Sequence, residues 1–104
     1  MIKVLIKRLD PKVKLPKYKT DGSSGLDLMA FIKNPVKIKS QESAIIPTGI
    51  SVAIPGDTEV QIRPRSGLAA KFSISILNTP GTIDSDYRGE LKSFYLIMVK
   101  RYLL

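Results

Sequence analysis

Hydrophobic and polar residues alternate with a period of two over several short segments of the chain. The alternating hydrophobic residues are Ile2, Val4 and Ile6 near the N-terminus, Val60 and Ile62 in the middle, and Phe72, Ile74 and Ile76 beyond them. Successive side chains of a β-strand point to opposite faces of a sheet, so this period predicts strands that are buried on one face.

Three further apolar segments predict short strands: VKIK at 36–39, SAII at 43–46 and ISVAI at 50–54. The turn signals NP, PTG and PGD separate them. Predicted strands recur about every ten residues, and the longest segment with a helical period is SGLAAK at 66–71. Together these patterns predict an all-β fold, an antiparallel sandwich or barrel, in one domain that spans residues 1–104.

The composition limits the chemistry that this chain can perform. With 104 residues, 43% of them hydrophobic, the chain is long enough for one domain with a modest core. Cysteine and histidine are absent, which excludes disulfides, thiolate or imidazole metal sites, and nucleophiles activated by histidine. Any catalysis must therefore use carboxylates, hydroxyls, lysine, arginine or tyrosine.

The positive charge is concentrated in the N-terminal part of the chain. Of the net charge of +8, residues 1–40 carry +7, from nine Lys and one Arg against three Asp, whereas residues 41–104 carry +1, from seven basic and six acidic residues. A lysine-rich field attracts nucleic acid and other polyanions, but these lysines are dispersed and only Tyr18 lies among them. We therefore favour a solvated basic face over nucleic-acid binding.

The N-terminal sequence MIKVLIKRLDPK carries charges within its apolar stretch. It lacks the long hydrophobic region and small-residue cleavage site of a signal peptide. No segment of the sequence reaches the length of a transmembrane helix. We expect a cytoplasmic protein without membrane association.

Three stretches interrupt the alternation with polar residues that a strand does not need: SSGLDLMA at 23–30, RPRSGLAAK at 63–71 and NTPGTIDSDYRGE at 78–90. In the first, Asp27 lies where a loop rich in Ser and Gly enters an apolar run, and hydrogen bonding to local amides is its simplest explanation. In the second, Ser66 is predicted to start the helical turn beside Arg65, either as an ordinary N-cap or as part of a cradle for an anion.

The third stretch predicts two tight turns around a short hairpin. Asn78 and the following TPG sequence form the first turn, Thr82 and Ile83 form an arm of the hairpin, and residues 86–89 form the second turn. Such a hairpin presents backbone N–H and C=O groups at the spacing that the edge of a planar heterocycle requires. The stretch therefore predicts a binding site for a planar ring.

Acidic residues in the same stretch suggest chemistry beside that ring. Asp84 is placed to orient a water, and Tyr87 offers a flat apolar face. Acids near phosphate-binding arginines would also suit Mg²⁺, which prefers oxygen ligands and retains water. The alternative is a surface hairpin with solvated acids, and we expect Asp86 and Glu90 to fix the turn and pair with Arg88.

In order, spacing and residues, the three stretches together resemble the first three sequence motifs of the trimeric dUTP diphosphatase (dUTPase) family. The resemblance covers residues 1–92, and the strings PRSGLAAK and PGTIDSDYRGE are its most specific parts. It implies an all-β, jelly-roll-like fold, which is a distorted barrel of short antiparallel strands. It also implies a homotrimer with three active sites at subunit interfaces, and Mg²⁺-dependent hydrolysis of dUTP to dUMP and pyrophosphate.

The resemblance implies roles in catalysis and in binding of the triphosphate. By similarity to the family, Asp84 is the catalytic carboxylate that positions a water for attack on the α-phosphorus. Arg65, Ser66 and Gly67 hold the triphosphate. Asp27 contacts the Mg²⁺ cofactor indirectly, through the water shell of the metal.

The resemblance also implies how the nucleoside is recognised. Asn78 and the backbone of Thr82, Ile83 and the residue after them read the uracil edge. Tyr87 packs against the deoxyribose and leaves no room for a ribose 2′-hydroxyl, and Lys92 contacts the nucleotide from the next strand. Cytosine would be rejected because its donor and acceptor pattern leaves groups of the hairpin unpaired.

The family pattern ends after Lys92. Family members continue into a Gly- and Asp-rich fourth motif and an Arg- and Gly-rich fifth motif, whereas residues 93–104 read SFYLIMVKRYLL. We therefore expect an atypical tail, a chain that is C-terminally truncated relative to the family, and weak or no hydrolysis, because the arm that closes over the nucleotide is missing. The uncharged SFYLIMV run is β-prone and would favour aggregation if it were exposed.

Three other functions remain open. The fold would serve as a nucleotide-binding module if dUTP binds without being hydrolysed. A basic domain that binds polyanions would show affinity that falls steeply with salt and does not depend on the base. A dCTP deaminase relative on the same fold agrees less well with the sequence, because the stretch at 78–90 matches the diphosphatase pattern.

Overall fold

The computed structural model describes residues 2–97 of the chain. Within this range it contains seven short strands and one short helix. They are β1 Leu5–Arg8, β2 Ser43–Pro47, β3 Ile50–Ala53, β4 Val60–Ile62, α1 Ser66–Phe72, β5 Ile74–Ile76, β6 Gly81–Ile83 and β7 Lys92–Ile97.

The strands form three small antiparallel sheets. Strand β1 pairs with β3, β4 pairs with β6, and β7 lies at the centre of a three-stranded sheet between β2 and β5. In these ladders Ile6 lies opposite Val52 and Gln61 lies opposite Thr82. The fold is thus built largely by pairing between strands that are distant in sequence.

The hydrophobic core lies around β3 and the segment just before β7. Its buried residues are Val13, Ile50, Val52, Ile54, Ile62 and Leu91, with Ile6, Leu28, Val60 and Ile83 packed against them. Strand β3 is buried at three successive positions, Ile50, Ser51 and Val52. Strand β3 therefore passes through the interior, and the residues next to it in sequence adjoin a closely packed core.

Most of the strands expected from the sequence are present. The structure has strands at 43–47, 50–53, 60–62 and 74–76, and its helix covers the predicted segment 66–71. All strand pairs in the described range are antiparallel, as predicted.

Three of the predicted strand positions are wrong. Strand β1 begins at Leu5 and not at Ile2, because the ladder with β3 ends where Leu5 faces Ala53. Phe72 is the last residue of the helix, not the first of a strand. Residues 36–39 form no strand and have no ladder partner in the part of the chain that the structure describes, and β-prone residues need a neighbouring strand to pair with.

The segment predicted to be an atypical tail is partly within the structure. Residues 93–97 belong to β7, which is paired on both sides, to β2 and to β5. Residues 98–104 lie outside the described range. No helix between residues 2 and 97 is long and apolar enough to cross a membrane.

Candidate active site

A pocket with a volume of about 240 Å³ opens beside strand β6. The buried residues Ile62 and Ile76 form part of its lining. The pocket brings together six of the residues predicted to bind or convert the nucleotide, namely Asn78, Thr82, Ile83, Asp84, Tyr87 and Lys92. A concave site with an apolar floor and polar groups along its wall is the usual form of a small-molecule site.

Strand β6 does not belong to the narrow hairpin that the sequence predicted. It pairs with β4, with Thr82 opposite Gln61 and Gly81 opposite Ile62. At Gly81, which is buried, an added Cβ would lie 3.4 Å from the side-chain nitrogen of Asn78. The Asn78 amide thus lies beside the strand, at a distance that corresponds to ordinary van der Waals contact with a side chain at position 81.

The chain turns sharply directly after β6. The backbone N–H of Tyr87 donates a hydrogen bond to the carbonyl of Asp84 at 3.1 Å, so the turn spans residues 84–87. The predicted turn at 86–89 was therefore placed two residues too late. The turn fixes Asp84 at its first position, at the edge of the pocket.

The predicted ion pairs of Arg88 are also wrong. Its guanidinium donates hydrogen bonds to the backbone carbonyls of Ser85, at 2.6 Å, and Tyr87, at 3.1 Å. Asp86 is exposed, and the carboxylate of Glu90 accepts a hydrogen bond from the backbone N–H of Gly49. Arg88 thus stabilises the turn through carbonyls and not through acidic side chains.

Tyr87 is held at both ends. Its backbone is tied into the turn, and its hydroxyl donates a hydrogen bond to the carbonyl of Glu90 at 2.9 Å. A Cβ at Gly89 would lie 2.6 Å from that hydroxyl oxygen, so the ring can take this position only because residue 89 is glycine. The side chain remains 43% exposed, which leaves part of the ring free to contact a ligand.

Sequence reasoning did not assign several lining residues to the site. They are Ile62, Ile76, Gly81, Glu90 and Phe94. The alternation of Ile62 and Ile76 marks them only as buried strand residues, and Glu90 was expected to pair with Arg88. No local pattern indicates that Glu90 contacts Gly49, since the two residues are 41 positions apart.

The segment predicted to bind phosphate lies outside this pocket. Arg65, Ser66 and Gly67 are all exposed, and none of them lines it. The helix that begins at Ser66 buries no residue, and its N-cap is Arg65, which makes no side-chain capping hydrogen bond. The interpretation of Ser66 as an N-cap is therefore wrong, because Ser66 is already the first helical residue.

Asp27 lies beside the predicted phosphate-binding arginine. A carboxylate oxygen of Asp27 is 3.7 Å from a guanidinium nitrogen of Arg65, and the two side chains are 43% and 58% exposed. Exposed pairs of this kind contribute little to stability. Both residues line a groove of about 100 Å³ that also contacts Ile62 and Ile76, so this groove adjoins the pocket through shared core residues.

The donor atoms that could hold a metal are few. Residues 2–97 contain no group of three or more acidic side chains placed to bind one ion. A single carboxylate such as that of Asp27 fits Mg²⁺ whose other ligands are phosphate oxygens and water, which is the usual manner of binding for this ion.

The chain is similar to proteins of one family in both sequence and structure. Residues 11–100 match the model of the dUTPase family. The deoxyuridine 5'-triphosphate nucleotidohydrolase of Fusobacterium nucleatum subsp. nucleatum is 57% identical over 93 residues, which cover 88% of this chain and 64% of that protein. The enzyme of the same name from Treponema denticola is 60% identical over 77 residues, covering 74% and 54%.

Solved structures show the same similarity. A mutant dUTPase from phage phi11 of S. aureus, whose structure reveals the coordination of a structural Mg(II) ion, gives a TM-score of 0.78 at 26% identity, over 93% of this chain and 61% of that chain. A mutant dUTPase of Staphylococcus bacteriophage 80alpha, solved with dUpNHpp, gives a TM-score of 0.76 at 26% identity, over 91% and 59%.

These comparisons bear out the fold expected from the resemblance, which is all-β and dUTPase-like. This chain spans between about half and two thirds of the length of the curated relatives it matches. The family model covers most of the chain, and two curated relatives exceed half identity over the aligned residues. The chain belongs to the dUTPase family.

Proposed function

We propose that this protein hydrolyses dUTP to dUMP and pyrophosphate, and that residues 1–104 form a single dUTPase-like domain in the cytoplasm. The observation that carries the proposal is the pocket beside β6, which brings Asn78, Asp84 and Tyr87 together in one wall. These residues supply an amide, a carboxylate and a flat ring, the three kinds of group that recognition of a base, activation of a water and packing against a sugar require.

Base recognition is assigned to the polar groups of the pocket wall. Asn78 and the backbone from Thr82 to Asp84 would pair with the donor and acceptor groups of the uracil edge. Cytosine exchanges a donor for an acceptor at that edge, and the unpaired groups that result cost far more than a missing apolar contact. Thymine would be refused because its methyl group would crowd the wall of the pocket.

Asp84 is assigned the central chemical role. Its carboxylate lies at the pocket edge and is exposed, so it can accept a hydrogen bond from a water molecule. That water would attack the α-phosphorus in line with the leaving pyrophosphate, and its proton would pass to Asp84. Lys92, which also lines the pocket, would contact the nucleotide.

Arg65, Ser66 and Gly67 are assigned to the triphosphate. They lie outside the pocket of their own chain, and the homotrimer that the family resemblance implies would let a neighbouring subunit supply them. Mixing an Arg65→Ala variant with an Asp84→Asn variant tests this arrangement, because mixed trimers would regain hydrolysis at sites that combine the two intact halves. If the mixture stays as inactive as each variant alone, then the residues do not act across subunits.

We propose Mg²⁺ as the cofactor, bound to the triphosphate. It would neutralise charge on the phosphate oxygens. Asp27 would hold it through water, since the described residues provide no cluster of carboxylates that could bind the ion directly. Arg65, which lies beside Asp27, would contact the same phosphates.

The experiment that tests the proposed function measures pyrophosphate release from dUTP with Mg²⁺, with dCTP and dTTP as controls, and measures binding of dUTP in parallel. Release from dUTP alone would support the proposal. Binding without release would indicate a nucleotide-binding module, and neither binding nor release would contradict the proposal.

A second candidate function, polyanion binding, is favoured by one observation. A groove of about 560 Å³ is lined by the basic residues Arg8, Lys14, Lys17 and Lys19, by one acidic residue, Asp27, and by Tyr18, which is 61% exposed. Basic grooves with an exposed aromatic ring suit single-stranded nucleic acid. Titration of labelled oligo(dT) at increasing salt tests this function, which requires tight binding at low salt and a steep loss as salt rises.

A further inference from the structure

Glu90 has a hydrogen-bonding partner deep in the fold. Its carboxylate accepts a hydrogen bond at 3.0 Å from the backbone N–H of Gly49, and its side chain lines the pocket. Because this bond joins residues 41 positions apart, it attaches the pocket wall to the loop between β2 and β3. A carboxylate that accepts from a partly buried amide makes a stronger bond than two neutral groups do.

Gly49 gives this attachment a fixed base. The residue is buried, its φ is +73°, and an added Cβ would lie 2.6 Å from the side chain of Val13. On one side of it, Thr48 donates its hydroxyl to the carbonyl of Leu91 at 2.6 Å. On the other side, the carbonyl of Ile50 accepts the N–H of Leu91 at 2.9 Å.

Glu90 is therefore fixed through its carboxylate and through the residue that follows it. Its backbone carbonyl accepts the hydroxyl of Tyr87. The tyrosine ring lies across Gly89 and is held at its other end by the turn that starts at Asp84. A chain of contacts thus connects the buried loop at Gly49, through Glu90, to the far end of the Tyr87 ring.

We infer that Glu90 is a positioning residue that sets the preference for deoxyribose over ribose. The inference rests on the proposed function, in which the ring of Tyr87 faces the sugar. A ribose adds one oxygen atom at C2′, and a ring that tilts slightly would make room for it. Anchoring both ends of the ring prevents that tilt, so Glu90 acts on selectivity between sugars more than on affinity for the deoxynucleotide.

Equilibrium binding of dUMP and UMP tests the inference without requiring turnover. The readout is the ratio of the two dissociation constants in the unchanged chain and in the variants Glu90→Ala, Glu90→Gln and Tyr87→Phe. Glu90→Ala removes the carboxylate, whereas the amide oxygen of glutamine still accepts the N–H of Gly49. Tyr87→Phe removes only the hydroxyl, and Asp57→Ala, at an exposed acid outside the pocket, is the matched control for lost charge.

We expect Glu90→Ala and Tyr87→Phe each to lower the ratio of the dissociation constant of UMP to that of dUMP by about threefold to tenfold, which corresponds to the usual free energy of one hydrogen bond. Affinity of Glu90→Ala for dUMP should change by less than about threefold. Glu90→Gln and Asp57→Ala should keep the ratio of the unchanged chain. Thermal unfolding of each variant shows whether it is folded, and if Glu90→Ala does not fold, Glu90→Asp decides, because it keeps the charge but shortens the side chain that reaches the N–H of Gly49.

Two outcomes would overturn the inference and are distinguishable. The first outcome is that the unchanged chain prefers dUMP but Glu90→Ala and Tyr87→Phe have the same ratio of dissociation constants as the unchanged chain, which includes an equal loss of affinity for both nucleotides. Glu90 then has only a structural role, and the proposed function stands. If the unchanged chain does not bind dUMP, the proposed function fails and the inference fails with it.

Discussion

The wall of the pocket and the helix that follows Arg65 are both formed by motif residues, but they are held in very different ways. The segment from Asp84 to Leu91, which carries the wall residues Asp84, Tyr87 and Glu90, is closed by a turn, crossed by the Tyr87 ring and bonded to the buried loop at Gly49. Helix α1 buries no residue, and its N-cap makes no side-chain hydrogen bond.

This difference separates two tasks of a nucleotide site. Selection of a base and a sugar depends on groups with fixed positions, so the site must be preorganised before the ligand binds. Binding a triphosphate depends on charge, which acts over longer distances and tolerates exposed side chains such as that of Arg65. The residues proposed for the first task line one pocket of a single chain, whereas those proposed for the second are exposed and lie outside it.

The largest effect is expected within the wall, at the carboxylate. Asp84→Asn should lower kcat for dUTP by about 10²-fold to 10⁴-fold, the usual contribution of a positioned base, with little change in dUTP affinity. Asp86→Asn, two residues along and outside the pocket, is the matched control and should keep its rate. Measured pyrophosphate release that is equal in the two variants would remove Asp84 from the mechanism.

The next effect tests the rigidity of the wall at its base. Gly49→Ala should lower the free energy of unfolding by about 2–4 kcal/mol, because it combines a strained backbone with a clash in the core. The new methyl group would meet Val13 and Phe31. Gly56→Ala is the control, since nothing lies within 4 Å of that site. Urea unfolding curves with the same midpoint for both variants would contradict the rigid anchor.

A smaller effect is expected at the exposed region. Arg65→Ala should weaken binding of dUTP by about tenfold to a hundredfold, because charge-assisted hydrogen bonds are lost, and should change stability by less than about 1 kcal/mol, because its ion pair is exposed. Arg63, whose guanidinium is bonded to Gln61, gives the matched variant Arg63→Ala. Calorimetric titration that finds equal losses for both arginines would rule out a specific role for Arg65.

The smallest effect concerns the start of the helix. Ser66→Ala should change the free energy of unfolding by less than about 0.5 kcal/mol, whereas loss of a capping serine costs about 1 kcal/mol. The reason is that Ser66 is the first helical residue and Arg65 is the N-cap. A thermal denaturation measurement that shows a loss of about 1 kcal/mol or more would restore the capping role.

The sequence predicts those parts of the fold that depend on local pattern. Val60 and Ile62, and Ile74 and Ile76, alternate and do lie in strands. The prediction fails where pairing decides. Residues 36–39 are as β-prone as true strands but have no ladder partner in the described part of the chain. Phe72 continues the alternation of Ile74 and Ile76 but is the last residue of the helix, because a hydrophobic residue at this position can lie in either a helix or a strand.

The site divides in the same way. Six residues between Asn78 and Lys92 that the sequence assigned to one site lie close in sequence and line one pocket, while their roles remain predictions. The contact between Glu90 and Gly49 links two loops across 41 positions. Since no local pattern encodes such a pairing, only the tertiary structure reveals why Tyr87 is held still.

The bonds between residues 48–50 and residues 90–91 also have a consequence for the order of folding. They close loops of 41 and 43 residues, and long loops are closed slowly because the chain must first lose much of its freedom. During synthesis from the N-terminus, the anchoring loop is made long before its partner emerges. We therefore expect the pocket beside β6 to be among the last parts of the domain to form, after the helix, whose backbone hydrogen bonds join residues four apart.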